Sequence, residues 1–212
     1  ALRGQVGPIL GYIGAVDERL DYVLIAHLAE QIPEATIALV GPIVKVDPRD
    51  LPRRANIRYI GQQPHDLLPA FLKGFDVCVM PFVLSKTTAY INPTRTLEIL
   101  ASGKPVVSTA ITDVVRAFSE EVMIAESPRE FVEGVRMAVR GPDIERRQRG
   151  LARAQGASWE AITAEMSRLM DEAVGRRERH IRGDRRLASP ADMIDTRLIS
   201  RPRIEREVQR AL

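Results

Sequence analysis

The chain has one cysteine in 212 residues, Cys78. That excludes a disulfide framework and any multi-cysteine metal site. Cys78 lies in an apolar run, where a thiol is buried and inert. A reducing compartment, the cytoplasm, is the expected setting. No apolar run approaches the roughly 20 residues that span a bilayer. The three histidines, His27, His65 and His180, are isolated, and no Asp-x-Asp pair occurs. No divalent-cation site and no metal or organic cofactor is therefore expected. Internal repeats and low-complexity tracts are also lacking. The first residues, Ala1-Leu2-Arg3-Gly4, carry neither an initiator Met nor a signal-peptide pattern, so the chain reads as cut from something longer.

What is present is ordinary globular composition, 45% hydrophobic and 28% charged, enough for one domain with a real core and an appendage. The pI near 9.3 first suggests a nucleic-acid partner. The charge map argues against it. Residues 1–175 hold 20 Lys and Arg against 22 Asp and Glu, whereas residues 176–212 hold 11 Arg against 6 Asp and Glu. A nucleic-acid-binding core carries its own basic face, and here the basicity belongs to the tail. The expected division is a domain at 1–175 and a basic C-terminal extension at 176–212.

Short apolar runs alternate with helical periodicity. Ile9–Val16, Thr36–Val40, Ile57–Ile60, Asp76–Met80, Pro105–Ser108 and Val122–Ala125 read as buried strands. Leu20–Gln31, His65–Phe71, a helix from Pro93 to about Ser102, and segments near 128–140, 142–155 and 158–175 read as helices. His27 falls on an apolar helical face and His65 at a helix start. This alternation predicts an α/β fold, a Rossmann-like doubly wound parallel sheet of about six strands. Ligands of such sheets bind beyond the carboxyl ends of the strands, at the switch in strand order. That directs attention to Gly14–Arg19, Pro81–Asn92 and the helix start at Pro93.

A helix start at Asn92-Pro93-Thr94 leaves backbone N–H groups free for a phosphate. Arg95 in the first turn can add charge-assisted hydrogen bonds. Glu98, on the same helical face, can accept both hydroxyls of a ribose. The competing reading pairs Arg95 with Glu98 in an intrahelical salt bridge.

Glu98-Ile99-Leu100-Ala101-Ser102-Gly103-Lys104-Pro105-Val106-Val107 resembles the E-x-x-A-x-G-x-P-V-V signature of GT-B glycosyltransferases. Its nearest match is the group-1, glycogen synthase-like superfamily, and it is similar to bacterial polysaccharide-assembly enzymes. Gly11-Tyr12-Ile13-Gly14, Asn56–Gly61, Phe75–Phe82, Asp113 and Ser158-Trp159 fall in that family's order, so the resemblance covers roughly residues 8–175. It implies the C-terminal, donor-binding half of a two-domain enzyme. That enzyme is retaining and metal-independent, and it moves a sugar from a nucleoside-diphosphate sugar to a hydroxyl acceptor. The acceptor is a glycan or lipid-linked saccharide, and the N-terminal domain carries its site.

By the same resemblance, Glu98 binds the ribose, and Arg95, in place of the commoner Lys, approaches the diphosphate. Gly14 and Arg19 match the loop that carries a basic pair in relatives. Ala15 occupies the position of one member, leaving Arg19 alone. Tyr90 stands where many relatives have a sugar-contacting Glu. In the loop at 82–92, Ser85, Thr88, Asn92 and Tyr90 are the expected sugar-facing groups. Ile60 and Gln62 lie near the base in the fold this resembles.

In the tail, Ile204, Val208 and Leu212 form an apolar stripe after Ser200 and Pro202. The arginine-rich segment suits peripheral contact with an anionic membrane surface, a partner chain, or a solvated extension. Gly183 and Pro202 predict an interrupted helix there. A non-catalytic nucleotide-sugar-binding or scaffold module of the same fold is the second reading. A nucleotide-sugar epimerase would need carboxylates and histidines that the sequence does not supply.

Overall fold

The computed structural model describes residues 4, 7–85, 88, 95–141, 143–157 and 159–187. Asn92, Pro93, Thr94, Tyr90 and the tail stripe after Leu187 lie outside the described residues. Two compact units divide between Ser158 and Trp159.

The first unit holds six strands, β1 (Ile9–Ile13), β2 (Thr36–Val40), β3 (Ile57–Gly61), β4 (Val77–Met80), β5 (Val106–Thr109) and β6 (Met123–Ala125). They form one all-parallel sheet in the order β3-β2-β1-β4-β5-β6. β2, β4 and β5 are buried at every residue. Unbroken apolar runs behave this way when both sheet faces are covered. The covering helices are α1 (Tyr22–Gln31), α2 (Leu68–Gly74), α3 (Arg95–Ala101), α4 (Thr112–Phe118), α5 (Pro128–Arg140) and α6 (Ile144–Gly156).

The strand order reverses between β1 and β4, the switch point. Right-handed crossovers therefore place α1 on one face and α2, α3 and α4 on the other. α5 returns to the face of α1, where Arg136 Nη2 donates to the Gln31 carbonyl at 2.9 Å. α3 packs with α6. Phe75 and Phe131 are among the largest fully buried side chains, each stabilising the fold by about 1.5–3 kcal/mol. The Phe75 ring lies over Gly11 of β1; a Cβ at Gly11 would stand 2.0 Å from it.

Several boundaries differ from the sequence expectation for identifiable reasons. α1 begins at Tyr22 because the Asp21 side chain caps it, accepting from the Leu24 amide at 2.8 Å. The segment after His65 starts as one 3-10 turn, His65–Leu67, before α2. α4 was not predicted; its seven residues bury only Val114 and Phe118, too few for a periodic signal.

The second unit is described by α7 (Trp159–Leu187), and no break occurs at Gly175 or Gly183. A lone glycine costs a helix about 1 kcal/mol against alanine, and an arginine, a good helix former, adjoins each. This corrects the expected interruption at Gly183. On α7, Arg168 pairs with Glu165 at 2.5 Å and with Glu172, while Ile162, Met166, Leu169, Met170 and Val174 are exposed. Among the described residues no helix is long and apolar enough to cross a membrane.

Candidate functional site

The exit loops of β1 and β4 meet at the switch point, beyond the carboxyl ends of the strands, where ligands of such sheets bind. The loops are stitched together. Asp21 N donates to the Pro81 carbonyl at 2.8 Å, Val83 N donates to the Arg19 carbonyl at 2.9 Å, and Leu20 pairs with Phe82 across an antiparallel bridge. β5 joins from the far side, where the buried Thr109 hydroxyl donates to the Phe82 carbonyl at 2.9 Å.

At the β1 exit, the Gly14 amide donates to the Val40 carbonyl at 3.0 Å. Its φ of +157° is a conformation that residues with a side chain rarely adopt, and a Cβ would in addition meet the Tyr12 hydroxyl at 2.6 Å. That hydroxyl donates to the Ala15 carbonyl at 2.9 Å, and the Tyr22 hydroxyl donates to the Asp17 carbonyl at 2.8 Å. Two tyrosines thus hold the loop's backbone.

Arg19 leaves this loop half-exposed. Its Nε donates to both Asp17 carboxylate oxygens at 2.9 Å, and its Nη2 to Oδ2 at 2.5 Å. Burial would raise the Asp17 carboxyl, but side-chain and backbone hydrogen bonds from Arg19 outweigh it and hold it below the ordinary carboxylate value. The same side-chain bond raises Arg19. Burial, then Asp17, push the Tyr12 phenol well above its ordinary value; Arg19 and Arg95 pull the other way. Of the two guanidiniums, Arg19 follows β1 and Arg95 opens α3 after β4.

Arg95 and Glu98 are paired with each other, Nη1 to Oε2 at 3.2 Å, both well exposed. This is the competing reading in place. Such a pair is worth about 0–1 kcal/mol, little resistance to exchange for a ligand. Glu98 also faces a cleft between α2 and α3 that His65, Leu68 and Lys104 share.

Ser85 and Thr88 bond to each other. Ser85 N donates to Thr88 Oγ1 at 2.9 Å, Thr88 N to Ser85 Oγ at 3.2 Å, and the Thr88 hydroxyl donates to the Val83 carbonyl. Thr88 is buried. Ile60 and Gln62 stand at the edge strand, separated from β1 by β2, roughly 10 Å along the sheet. Gly61 links them to the same end through its carbonyl, which accepts from Gly41 N at 3.0 Å.

The structure thus places Gly14 and Arg19 after β1, Arg95 and Glu98 in the first turn of α3 after β4, and Ile60 and Gln62 at the end of β3, two strands from β1. Sequence reasoning missed Tyr12, Asp17 and Tyr22. An Asp-x-Arg spacing marks Asp17, and it recurs at Asp47-Pro48-Arg49, which forms the same clamp in solvent. Cys78 is buried as expected, with its thiol pushed up to about 12 by desolvation. Among the described residues no group of three or more His, Cys, Asp or Glu could hold a metal ion. Other clefts lie at the opposite, amino edge of the sheet, around Gly103, Lys104, Pro105 and Arg147.

Residues 22–167 match the family described as glycosyl transferase-like. The chain is similar to TuaH of Bacillus subtilis (strain 168), described as a teichuronic acid biosynthesis glycosyltransferase. The two are 29% identical over 137 residues, 62% of this chain and 34% of that protein. Among solved structures it is similar to sucrose-phosphate synthase from Thermosynechococcus elongatus, with a TM-score of 0.59 and 22% identity, over 80% of this chain and 46% of that one. It is also similar to an α,α-trehalose-phosphate synthase (UDP-forming) from Burkholderia vietnamiensis, with a TM-score of 0.56 and 12% identity, over 78% and 45%. At those identities the structural likeness is one of fold. The chain spans less than half the length of each of these three proteins.

Proposed function

The chain belongs to the glycosyl transferase-like family, and from that premise we propose that it is the donor-binding half of a GT-B glycosyltransferase. It holds a nucleoside-diphosphate sugar whose sugar passes to a hydroxyl of a glycan or lipid-linked saccharide. The observation that carries this is the topology at the switch point: Arg19 follows β1 and Arg95 opens α3 after the neighbouring β4, so both come from the carboxyl ends of the two central strands. Sugar departure builds negative charge on the β-phosphate. Fixed guanidiniums stabilise that charge without reorganising.

Glu98 exchanges Arg95 for the ribose hydroxyls, and Asn92, Pro93 and Thr94 complete the diphosphate contact. Gly14 lets the backbone come close. Ile60 and Gln62 flank the base. Tyr90 and the Ser85–Thr88 turn face the sugar. The acceptor site and the general base come from a second domain. The enzyme works in the cytoplasm, where the arginine-rich tail meets an anionic membrane surface.

Calorimetric titration with UDP, GDP and ADP tests the reading. One nucleotide binds saturably, and Glu98→Ala weakens it about tenfold or more, the scale of a lost hydrogen bond to a charged group. No binding by any of the three, or equal binding by the variant, would overturn the assignment. A non-catalytic nucleotide-sugar-binding or scaffold module of the same fold is the second reading, its scaffold form favoured by the pairing of both arginines with carboxylates in the structure. The scaffold form predicts no saturable binding.

A further inference from the structure

The Arg19 guanidinium has three hydrogen-bonding edges, and Asp17 occupies one of them. Nε and Nη2 are taken by the carboxylate. The Nη1 atom has no hydrogen-bond partner among the described residues. What remains outward is the Nη1/Nη2 fork, the edge that matches two oxygens of a phosphate.

The Asp-x-Arg spacing forms this clamp without help from the fold. Asp47 and Arg49 make the same bonds with side chains 38% and 85% exposed. At Asp17 the side chain is only 5% exposed, while Arg19 keeps 39%. Burying a carboxylate is unfavourable unless its oxygens are bonded, so burial adds nothing that the local clamp lacks, except immobility. The backbone around it is held as well. The Asp17 carbonyl accepts from the Tyr22 hydroxyl and from Leu20 N at 3.1 Å, and the Arg19 carbonyl accepts from Val83 N.

We propose that Asp17 is a positioning residue: it immobilises Arg19 so that the Nη1/Nη2 fork meets the terminal phosphate of a nucleoside diphosphate. This rests on the donor-binding reading and adds a residue to it. A carboxylate beside a phosphate site normally repels the ligand. Here its charge is spent on the guanidinium, and its contribution is geometry.

The sign of one substitution separates geometry from charge. If Asp17 acted only as a negative charge, Asp17→Asn would tighten diphosphate binding. As a positioning residue, the same change weakens it. Calorimetry on the full chain uses whichever of UDP, GDP or ADP the wild type binds, with the matching monophosphate as the control. Asp17→Asn raises the diphosphate Kd about tenfold and lowers the diphosphate's advantage over the monophosphate.

Arg19→Lys keeps the charge but cannot present a fork, and it reproduces the loss even where Asp17→Asn folds poorly in a thermal melt. The double variant is no weaker than Arg19→Lys alone, the signature of a coupled pair. Diphosphate binding by Asp17→Asn that equals or exceeds wild type overturns the positioning role and leaves the donor site standing. Absence of binding by the wild-type chain overturns both.

Discussion

Asp17 and Arg19 sit two residues apart, and their pairing has a pH signature of its own. The Asp17 carboxyl titrates below its ordinary value of 3.8 in the folded chain. Between the folded and unfolded values, the unfolded chain binds more protons, so stability rises with pH. The pair's contribution is complete above the unfolded value and is lost as pH falls through the folded one. Urea unfolding of wild type and Asp17→Asn, from about pH 6 down to about pH 2, checks this. The gap between their midpoints is widest at the upper end and closes toward the lower. At this scale the sequence showed Arg95 and Glu98, because helical spacing and a contiguous signature mark them. It hid Asp17, since an i, i+2 pair has the same letters whether its carboxylate is buried or exposed like that of Asp47.

Elements were legible where burial made them uniform. Thr36–Val40 was read to its final bounds because every residue of β2 is buried and apolar or β-branched. α4 was not, and the length of α7 was not, because helix extent depends on packing and on the small cost of single glycines. The contact of β1 with the Phe75 ring is likewise invisible in sequence: the apolar run puts Gly11 inside a strand, as found, but does not tell which side chain packs over it. Alanine at Gly11 would put its Cβ 2.0 Å from the Phe75 ring, and β4 begins two residues after that ring, so little gives way. Gly11→Ala is expected to destabilise the domain by about 1–3 kcal/mol or more through overpacking, measured by denaturant midpoint. Combining it with Phe75→Leu recovers part of the loss.

At the scale of the whole molecule, the core and the segments that carry Gly14, Arg19 and Arg95 belong to the first unit. The buried hydrophobic cluster and the residues packed on it run from Ile9 to Ala154, and no described residue of α7 is among them. A chain ending at Ser158 is therefore expected to keep the far-UV circular dichroism of an α/β fold and a single cooperative unfolding transition. It should bind the same nucleotide with unchanged affinity. Loss of cooperativity or of binding would show that residues beyond 158 complete the domain. The alternation of strands and helices made this unit legible from the sequence. The extent of the basic appendage was less so, because charge sums locate the tail's basicity without locating where its helix begins.

Among the described residues the β1–β4 ladder pairs Leu10 with Val77 and Gly11 with Cys78, and it is the one strand ladder between the two three-stranded halves of the sheet. Bonds at both ends reinforce it: Ile9 with Asp76 at the amino end, and Asp21 with Pro81 and Arg19 with Val83 at the carboxyl end. In mechanical terms this seam is the sheet's fault line. A ligand gripped by Arg19 on one side and Arg95 on the other would span it like a brace, so that pulling the halves apart would first have to strip the ligand.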